Sequence, residues 1–372
     1  FAAVPARFKG WEGFYEQIEE QKPVQDSKHN VVKVKDILTG QWFAKKEYDP
    51  NKTEREVRRE PSLLLSLDHP NIVKVVGGFS TKHMHGRNFC IIEDLADEDL
   101  QDLVLRKKRM PENIAKRLIW QLASAVWYIH GQRTQVFTEY MAMEAAEQIG
   151  RCGTKKTFSM LLELESKDGE RKQVEVTTKE EVSACFLKAT KDRLNVFVKR
   201  KKRIIHADIK PKNILVFGRE KFPLLKLADF NLSMSLDEVS KDEIVTNTLK
   251  GSPGHMAPEI LSSKPCYSPS SDMWALGVTL YKMLSKRDPF PYSPERQGAK
   301  KYLIERVTRG EYSFSHKDFE GVSEEAKAVI RGLLTVDRRK RWSVEDVITS
   351  KWLGGDMRNI HGALKFFQHR NR

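Results

Sequence analysis

From Val31 to Tyr48 (VVKVKDILTGQWFAKKEY) apolar and polar positions alternate, turn at Thr39-Gly40, and alternate again, the period-two signature of a β-hairpin. Asp49 to Asn51 form a polar break. Lys52 to Leu67 (KTEREVRREPSLLLSL) follows with helix-forming charge and an apolar end. Pro61 lies inside that helical pattern, where it removes an amide donor and its ring clashes with the carbonyl of residue 57. A kink or a new segment is expected there. Asn88 to Leu95 (NFCIIEDL) has the apolar run of a buried strand, and Pro111 to His130 (PENIAKRLIWQLASAVWYIH) the spacing of a long amphipathic helix starting at Pro111. Strands give way to helices at this point.

Residues 132–203 carry a plan of their own. A helical stretch, TEYMAMEAAEQI, precedes two strand patterns, TFSMLLELES and KQVEVTT, joined by Lys167-Asp168-Gly169-Glu170, an Asp-Gly hairpin turn. Residues 179–198 (KEEVSACFLKATKDRLNVFV) then pattern as helix throughout. The segment ends on Lys199-Arg200-Lys201-Lys202-Arg203, read either as a solvated charged face or as a nuclear-import or anionic-surface patch. Beyond Arg203 come short strands, then mainly helical patterns to Leu353. In the tail 354–372, Met357, Ile360, Leu364 and Phe367 recur at helical spacing among basic residues, which suits docking on the body or a calmodulin-type target.

The 372 residues are 40% hydrophobic and 31% charged, enough for two or three lobes with real cores, and a composition unlike collagen, coiled coil or a disordered chain. A formal net charge of +14 favours acidic partners without choosing among nucleotides, phosphoproteins, nucleic acid and anionic surfaces. No apolar run is long enough to span a membrane, and FAAVPARFKG lacks the regions of a signal peptide. Four scattered cysteines (Cys90, Cys152, Cys185, Cys266) include no C-x-x-C pair, so a reducing compartment, cytoplasmic or nuclear, is the expectation. Because the chain opens at Phe1, a secreted form stays open, and Cys152 and Cys185 would be the cysteines to pair in it.

The densest chemistry lies in Ile205-His206-Ala207-Asp208-Ile209-Lys210-Pro211-Lys212-Asn213, with a carboxylate, an ammonium and an amide at offsets of two and three. Leu227-Ala228-Asp229-Phe230-Asn231 adds a second carboxylate behind an apolar strand. The two segments resemble the H-R-D-x-K-x-x-N and D-F-G motifs of eukaryotic protein kinases. Phosphoryl transfer needs metal to neutralise charge and groups that hold an alcohol in line with the γ-phosphate, and this set suffices. The resemblance implies an α+β, two-lobed protein-kinase-like fold: a small β-rich N-lobe over 1–94, a large helical C-lobe over 95–131 and 204–353, an inserted α+β module over 132–203 and a basic tail over 354–372.

It also implies roles. Asp208 would accept or orient the substrate hydroxyl proton, Lys210 would steady the transferring phosphate, and Asn213 and Asp229 would ligate Mg2+. His206 would pack in the core. Phe43-Ala44-Lys45-Lys46 resembles the third-strand A-x-K motif, which makes Lys46 the ligand of the ATP α- and β-phosphates and points Lys45 to the other face. Glu60 sits where the family places the carboxylate partner of that lysine; Pro61 opposes the pair, with Glu56 one turn earlier as the alternative. Ile92-Glu93-Asp94-Leu95 resembles the hinge, with Ile92 as gatekeeper and backbone groups near Glu93 and Leu95 meeting adenine. Gly251 to Glu259 (GSPGHMAPE) resembles the end of an activation segment, Glu259 pairing with Arg341, and Asp272 would hold the catalytic-loop backbone. Residues 322–353 are similar to the calcium/calmodulin-dependent branch of Ser/Thr kinases, and Lys210 and Ser252 favour Ser/Thr over Tyr. Asp97, Glu98 and Asp99 would either attract a basic substrate residue or form an acidic turn.

Three features depart from the pattern. The family's phosphate-loop glycines should fall near Val24, Asp26 and His29, yet no glycine occurs between Gly13 and Gly40. Ala207 replaces the arginine that binds a phosphorylated activation loop, so Thr246 and Thr248 are not expected to act as switches. Asn231 replaces the third glycine of D-F-G, a change tolerated because Asn accepts left-handed backbone. The leading reading is a Ser/Thr protein kinase using ATP and Mg2+ on a protein substrate, with a regulatory protein recruited through 132–203 and no nucleic-acid role. A pseudokinase scaffold is the alternative.

Overall fold

A computed structural model describes residues 15–17, 30–83, 86–107, 110–131, 134–136, 160–166, 168, 170–176, 179–192, 195–199, 203–218, 223–236, 243–315 and 317–354. The proposed phosphate-loop positions, the helical stretch 138–149, Cys152, Arg200, Lys201 and Lys202 of the basic run, and the tail helix lie outside them. The chain divides into two compact units: one comprises Phe1–Asp68, Val73–Ala96 and Gln132–Lys201, the other His69–Ile72, Asp97–Gly131 and Lys202–Arg372.

In the first unit a five-stranded antiparallel sheet has the order β1-β2-β3-β5-β4, built from β1 (Tyr15–Gln17), β2 (Asn30–Asp36), β3 (Trp42–Glu47), β4 (Val75–His83) and β5 (Gly86–Asp94). The β2–β3 hairpin turns where the alternation breaks. There the Asp36 carboxylate accepts the Leu38 and Thr39 N–H groups and Gly40 supplies φ +70°. Both faces of β3 are covered, since Phe43, Ala44, Lys45 and Lys46 are all buried. One face holds an apolar cluster of Tyr15, Val34, Phe43 and Ile92. The α1 helix (Glu54–Leu64) starts on a capping box in which Thr53 Oγ1 accepts the Glu56 N–H and the Glu56 carboxylate accepts the Thr53 N–H.

No new segment begins at Pro61: α1 continues through it as one element. Pro61 stands only three residues from the helix end, its own carbonyl accepts the Leu65 N–H at 2.9 Å, and its ring is buried. The single missing donor is thus offset by apolar packing.

Residues of the 132–203 segment form a separate four-stranded antiparallel sheet, order β7-β10-β8-β9. Its strands are β7 (Thr134–Val136), β8 (Met160–Glu165), β9 (Arg171–Val176) and β10 (Asn195–Lys199). The expected hairpin is β8–β9, with Glu165 opposite Arg171. The helix expected over 179–198 ends early: α4 covers Lys179–Lys191, and Asn195–Lys199 is the strand inserted between β7 and β8. Its NVFVK sequence favours extended backbone, and two neighbouring strands satisfy its peptide groups on both sides. Thr134 stands opposite Val198, so the segment enters and leaves at one place.

The second unit is mainly helical: α2 (Leu100–Arg106), α3 (Glu112–His130), α5 (Pro269–Ser285), α6 (Ala299–Arg309), α7 (Glu324–Leu333) and α8 (Val344–Ile348). Pro111 caps α3 at its start, and Gly131 in left-handed backbone ends it. Almost every residue of α5 is buried, and Trp274, Tyr281 and Leu280 make it the centre of this core. Short ladders carry the chemistry: β6 (Glu98–Asp99) with β12 (Ile214–Phe217) and β13 (Leu224–Leu227), β11 (Arg203–Ile205) with β14 (Met234–Leu236), and β15 (Ile244–Val245) with β16 (Cys266–Tyr267).

Candidate active site

Lys46 lies in the first unit. Strand alternation turns it to the face opposite Lys45, whose ammonium pairs with Glu47 at 2.8 Å. Lys46 Nζ donates to both oxygens of Glu60, at 2.8 and 3.1 Å, and Tyr48 Oη donates to Glu60 Oε2 at 2.8 Å. Lys46 and Glu60 are 4% and 2% exposed, so the pair is desolvated and its geometry fixed. Glu56, the alternative partner, is occupied by its capping box at the exposed start of α1, and the Thr53 contacts hold its carboxyl below the usual range. Tyr48 escaped the motif comparison, although its i+2 spacing from Lys46 on one strand face signals it.

The hinge segment needs one correction. Ile92 stands directly opposite Lys45 and packs with Tyr15, Val34 and Phe43, on the face away from Lys46. Ile91, paired with Lys46, and Glu93, paired with Ala44, share the Lys46 face instead. Glu93 is buried, and Asp94 closes β5 by exchanging bonds with Lys74. Leu95 follows, half-buried, just beyond the ladder.

In the second unit the catalytic-loop motif is assembled around Asp208, which is 6% exposed. Its Oδ2 accepts Lys210 Nζ at 2.8 Å and Asn213 Nδ2 at 3.0 Å; its Oδ1 accepts Ser252 Oγ at 2.8 Å. Lys210 Nζ also donates to Ser252 Oγ at 2.8 Å, so the three side chains form a closed triangle. A carboxylate offers about four acceptor positions, which leaves Oδ1 able to take one more donor. The loop backbone is held from below by Asp272 of α5, whose carboxylate accepts the His206 and Ala207 N–H groups at 2.8 and 2.9 Å and pairs with His130 Nε2 at 2.9 Å. As expected, His206 is structural: wholly buried, edge-on to Phe230, with Nε2 3.0 Å from the Ala228 carbonyl.

The β12–β13 ladder brings Asn213 and Asp229 to one end of a hairpin, since Ile214 faces Leu227 and the Ala228 N–H donates to the Asn213 carbonyl. Asn213 spends both protons of its amide on Asp208, to the backbone carbonyl at 2.8 Å and to Oδ2, which leaves its oxygen as the free acceptor. That oxygen and the Asp229 carboxylate are hard donors of the kind Mg2+ takes. Among the described residues no three His, Cys, Asp or Glu side chains cluster to hold a metal by themselves. A site of one carboxylate and one amide suits a cation whose remaining ligands come from phosphate and water.

Backbone strain sits beside these groups. Ala207 and Asp229 have φ +67° and +62°, a region costly for residues with a Cβ. The left-handed residue of the second motif is therefore Asp229, and Asn231 lies in an ordinary 3-10 turn, so the tolerance expected of asparagine is not called upon. Gly251, at φ +109°, approaches so closely that a Cβ would lie 2.8 Å from the Ala207 carbonyl oxygen. Below the loop a cavity of ≈ 10 Å³ is lined by Asp208, Ser252, His255 and Asp272 among others. Burial drives the pKa of His255 down to about 4 from an ordinary 6.5.

Asp97, Glu98 and Asp99 each make a contact within the second unit. The Asp97 carboxylate accepts the Gly218 N–H, Glu98 pairs with Arg106, and Asp99 caps α2 through the Asp102 N–H. Arg341 forms the expected fork to Glu259, at 2.7 and 2.9 Å. Cys90, Cys185 and Cys266 are free thiols, and burial raises the pKa of Cys185; Cys152, the other cysteine of the pair considered for a secreted form, lies outside the described residues.

The first unit thus holds a lysine of β3 paired with a glutamate of α1, and the second an Asp-Lys-Asn loop with a further Asp at the end of a β-hairpin. The family model described as protein kinase domain matches residues 27–138 and 135–353. The chain belongs to the protein kinase family, and its β-sheet N-terminal region and helical C-terminal region are those of the two-lobed kinase fold. Mouse serine/threonine-protein kinase D3 is 26% identical over 306 residues, covering 82% of this chain and 25% of that protein. The chain thus spans about a quarter of that relative's length. Among the described residues no helix is long and apolar enough to cross a membrane.

Proposed function

We propose that this protein transfers the γ-phosphate of ATP to serine or threonine hydroxyls of a protein substrate. The observation that carries the reading is the fixed Asp208 carboxylate, held by Lys210, Asn213 and Ser252 with one acceptor position left on Oδ1. An alcohol donating there has its proton bound and its oxygen oriented. Lys210 is placed to steady the transferring phosphate, and its bond to Ser252 supports serine and threonine as acceptors. Lys46, pinned by Glu60, would bind the α- and β-phosphates, and the backbone of Glu93 and Leu95 would bind adenine. Asn213 and Asp229 would hold Mg2+, which when bound neutralises the charge of the triphosphate. The run 322–353 supports a place beside the calcium/calmodulin-dependent branch.

The glycine-free segment between Gly13 and Gly40 supports the second reading, a pseudokinase scaffold. Thermal shift with ATP, with and without Mg2+, followed by turnover on serine- and threonine-containing peptides, separates the two. Magnesium-dependent stabilisation and turnover are expected, with Asp208→Ala lowering turnover by about 10²–10⁴-fold. Stabilisation without turnover favours the scaffold; neither overturns nucleotide chemistry altogether.

The 132–203 module is proposed to recruit a regulatory protein. Its own sheet and its paired ends at Thr134 and Val198 support excision as a unit. Replacing residues 135–197 by a short glycine linker should leave ATP-dependent stabilisation intact and abolish recruitment. A deleted protein with every interaction unchanged removes the idea.

A further inference from the structure

The segment leading into Ser252 is held by an anchor that lies outside the kinase motifs. Its first described residue, Glu243, pairs with Arg338 Nη2 at 2.6 Å, while Arg338 Nη1 donates to Cys266 Sγ at 2.9 Å. One guanidinium therefore bridges the start of the segment to the strand on which that segment folds. Immediately after Glu243, β15 pairs with β16, Ile244 opposite Tyr267 and Val245 opposite Cys266, and the Thr246 N–H donates to the Pro265 carbonyl. Tyr267 Oη closes the far end, accepting the Lys250 N–H at 2.6 Å and donating to the Lys250 carbonyl at 2.8 Å. Gly251 and Ser252 come next, so the last clamp lies two residues from the hydroxyl that completes the Asp208 triangle. Arg338 is itself fixed, because its carbonyl accepts Ser270 Oγ and the adjoining Arg341 forks onto Glu259.

Every link in this chain is supplied by carboxylate, guanidinium, thiol, phenol and peptide groups, and none requires an added phosphate. Ala207, where the family's phosphate-binding arginine would stand, offers only a methyl group. We infer that Glu243 and Arg338 are positioning residues that lock the 243–252 segment in its site-completing form without phosphorylation, delivering Ser252 to Asp208 and Lys210. The ion pair sets the segment's entry, the β15–β16 ladder its register and Tyr267 its exit. The inference rests on the kinase reading for its catalytic consequence, but the locking itself is a property of the fold.

The test therefore uses two readouts on the full chain. Hydrogen exchange is followed at the amides of Thr246 and Lys250, which donate to the Pro265 carbonyl and to Tyr267 Oη, in unphosphorylated protein, for wild type, Glu243→Ala, Arg338→Ala and the charge-exchanged double variant Glu243→Arg/Arg338→Glu. Each single variant should speed exchange there by about three- to tenfold, and the exchanged pair should recover the part of the protection that the ion pair supplies, the donation to Cys266 Sγ staying lost. ATP-dependent thermal stabilisation should not change, since neither residue belongs to the nucleotide-binding set. Where turnover is measurable, the single variants should lower kcat, and phosphatase treatment of the wild type should leave it unaltered. Unchanged exchange in both single variants, or wild-type segment amides protected only after phosphorylation at Thr246 or Thr248, overturns the inference. Because exchange needs no catalysis, a chain that binds ATP without turnover would refute the kinase reading and still decide this one.

Discussion

Lys46→Met is the most direct probe of the charge pair between β3 and α1. The methionine keeps the apolar stem of the lysine and removes the ammonium, leaving Glu60, 2% exposed, with the Tyr48 hydroxyl in place of two short bonds from a cation. Stranding one member of a buried, hydrogen-bonded pair costs about 3–5 kcal/mol, whereas removing both members costs far less because no charge is left uncompensated. The double variant Lys46→Met/Glu60→Met should therefore be more stable than Lys46→Met alone, a coupling of at least about 1 kcal/mol. Tyr48→Phe, which deletes one hydrogen bond to a charged acceptor, should fall between, at about 1.5–3 kcal/mol. Urea denaturation, compared through midpoints at a shared slope, reads the wild type, Lys46→Met, Glu60→Met, the double variant and Tyr48→Phe. A cost below about 1 kcal/mol for Lys46→Met, or a double variant that loses the sum of the single losses, would refute a desolvated pair holding α1 to β3.

Two further outcomes follow from the catalytic loop. Gly251→Ala forces a Cβ to within 2.8 Å of the Ala207 oxygen at φ +109°, and should cost about 1–3 kcal/mol while lowering kcat through displacement of Asp208; unchanged melting and kcat would count against this close approach. His255 has a folded pKa near 4, below its unfolded value near 6.5, so the unfolded chain binds the proton more readily between these values. Its contribution to stability is complete above pH 6.5 and declines as pH falls toward 4, by about 3 kcal/mol in total. The stability difference between wild type and His255→Gln should show that slope, and a difference independent of pH from 4 to 7 would dismiss the burial argument.

Much of the site was written in local order. The spacing Asp208, Lys210, Asn213 survives folding as a single hydrogen-bonded set because all three lie on one loop, and the β2–β3 alternation alone sends Lys46 and Lys45 to opposite faces. The start of α3 at Pro111 and the β8–β9 hairpin are likewise short-range, since caps and turns depend on neighbouring residues. Other features required the packed chain. Whether Glu60 reaches Lys46 past Pro61 turns on where α1 docks on the sheet, and whether Asn195–Lys199 is helix or strand turns on the two strands waiting to pair with it. The gatekeeper assignment at Ile92 failed because strand register, not distance along the sequence, fixes which face a residue occupies. The acids at 97–99 became backbone acceptors, cap and ion-pair partner only once Gly218, α2 and Arg106 were beside them, and Glu243 found Arg338 only through the fold. Covalent order sets the kind of chemistry available at each position; desolvation and pairing with residues remote in the chain decide which groups are held ready for it.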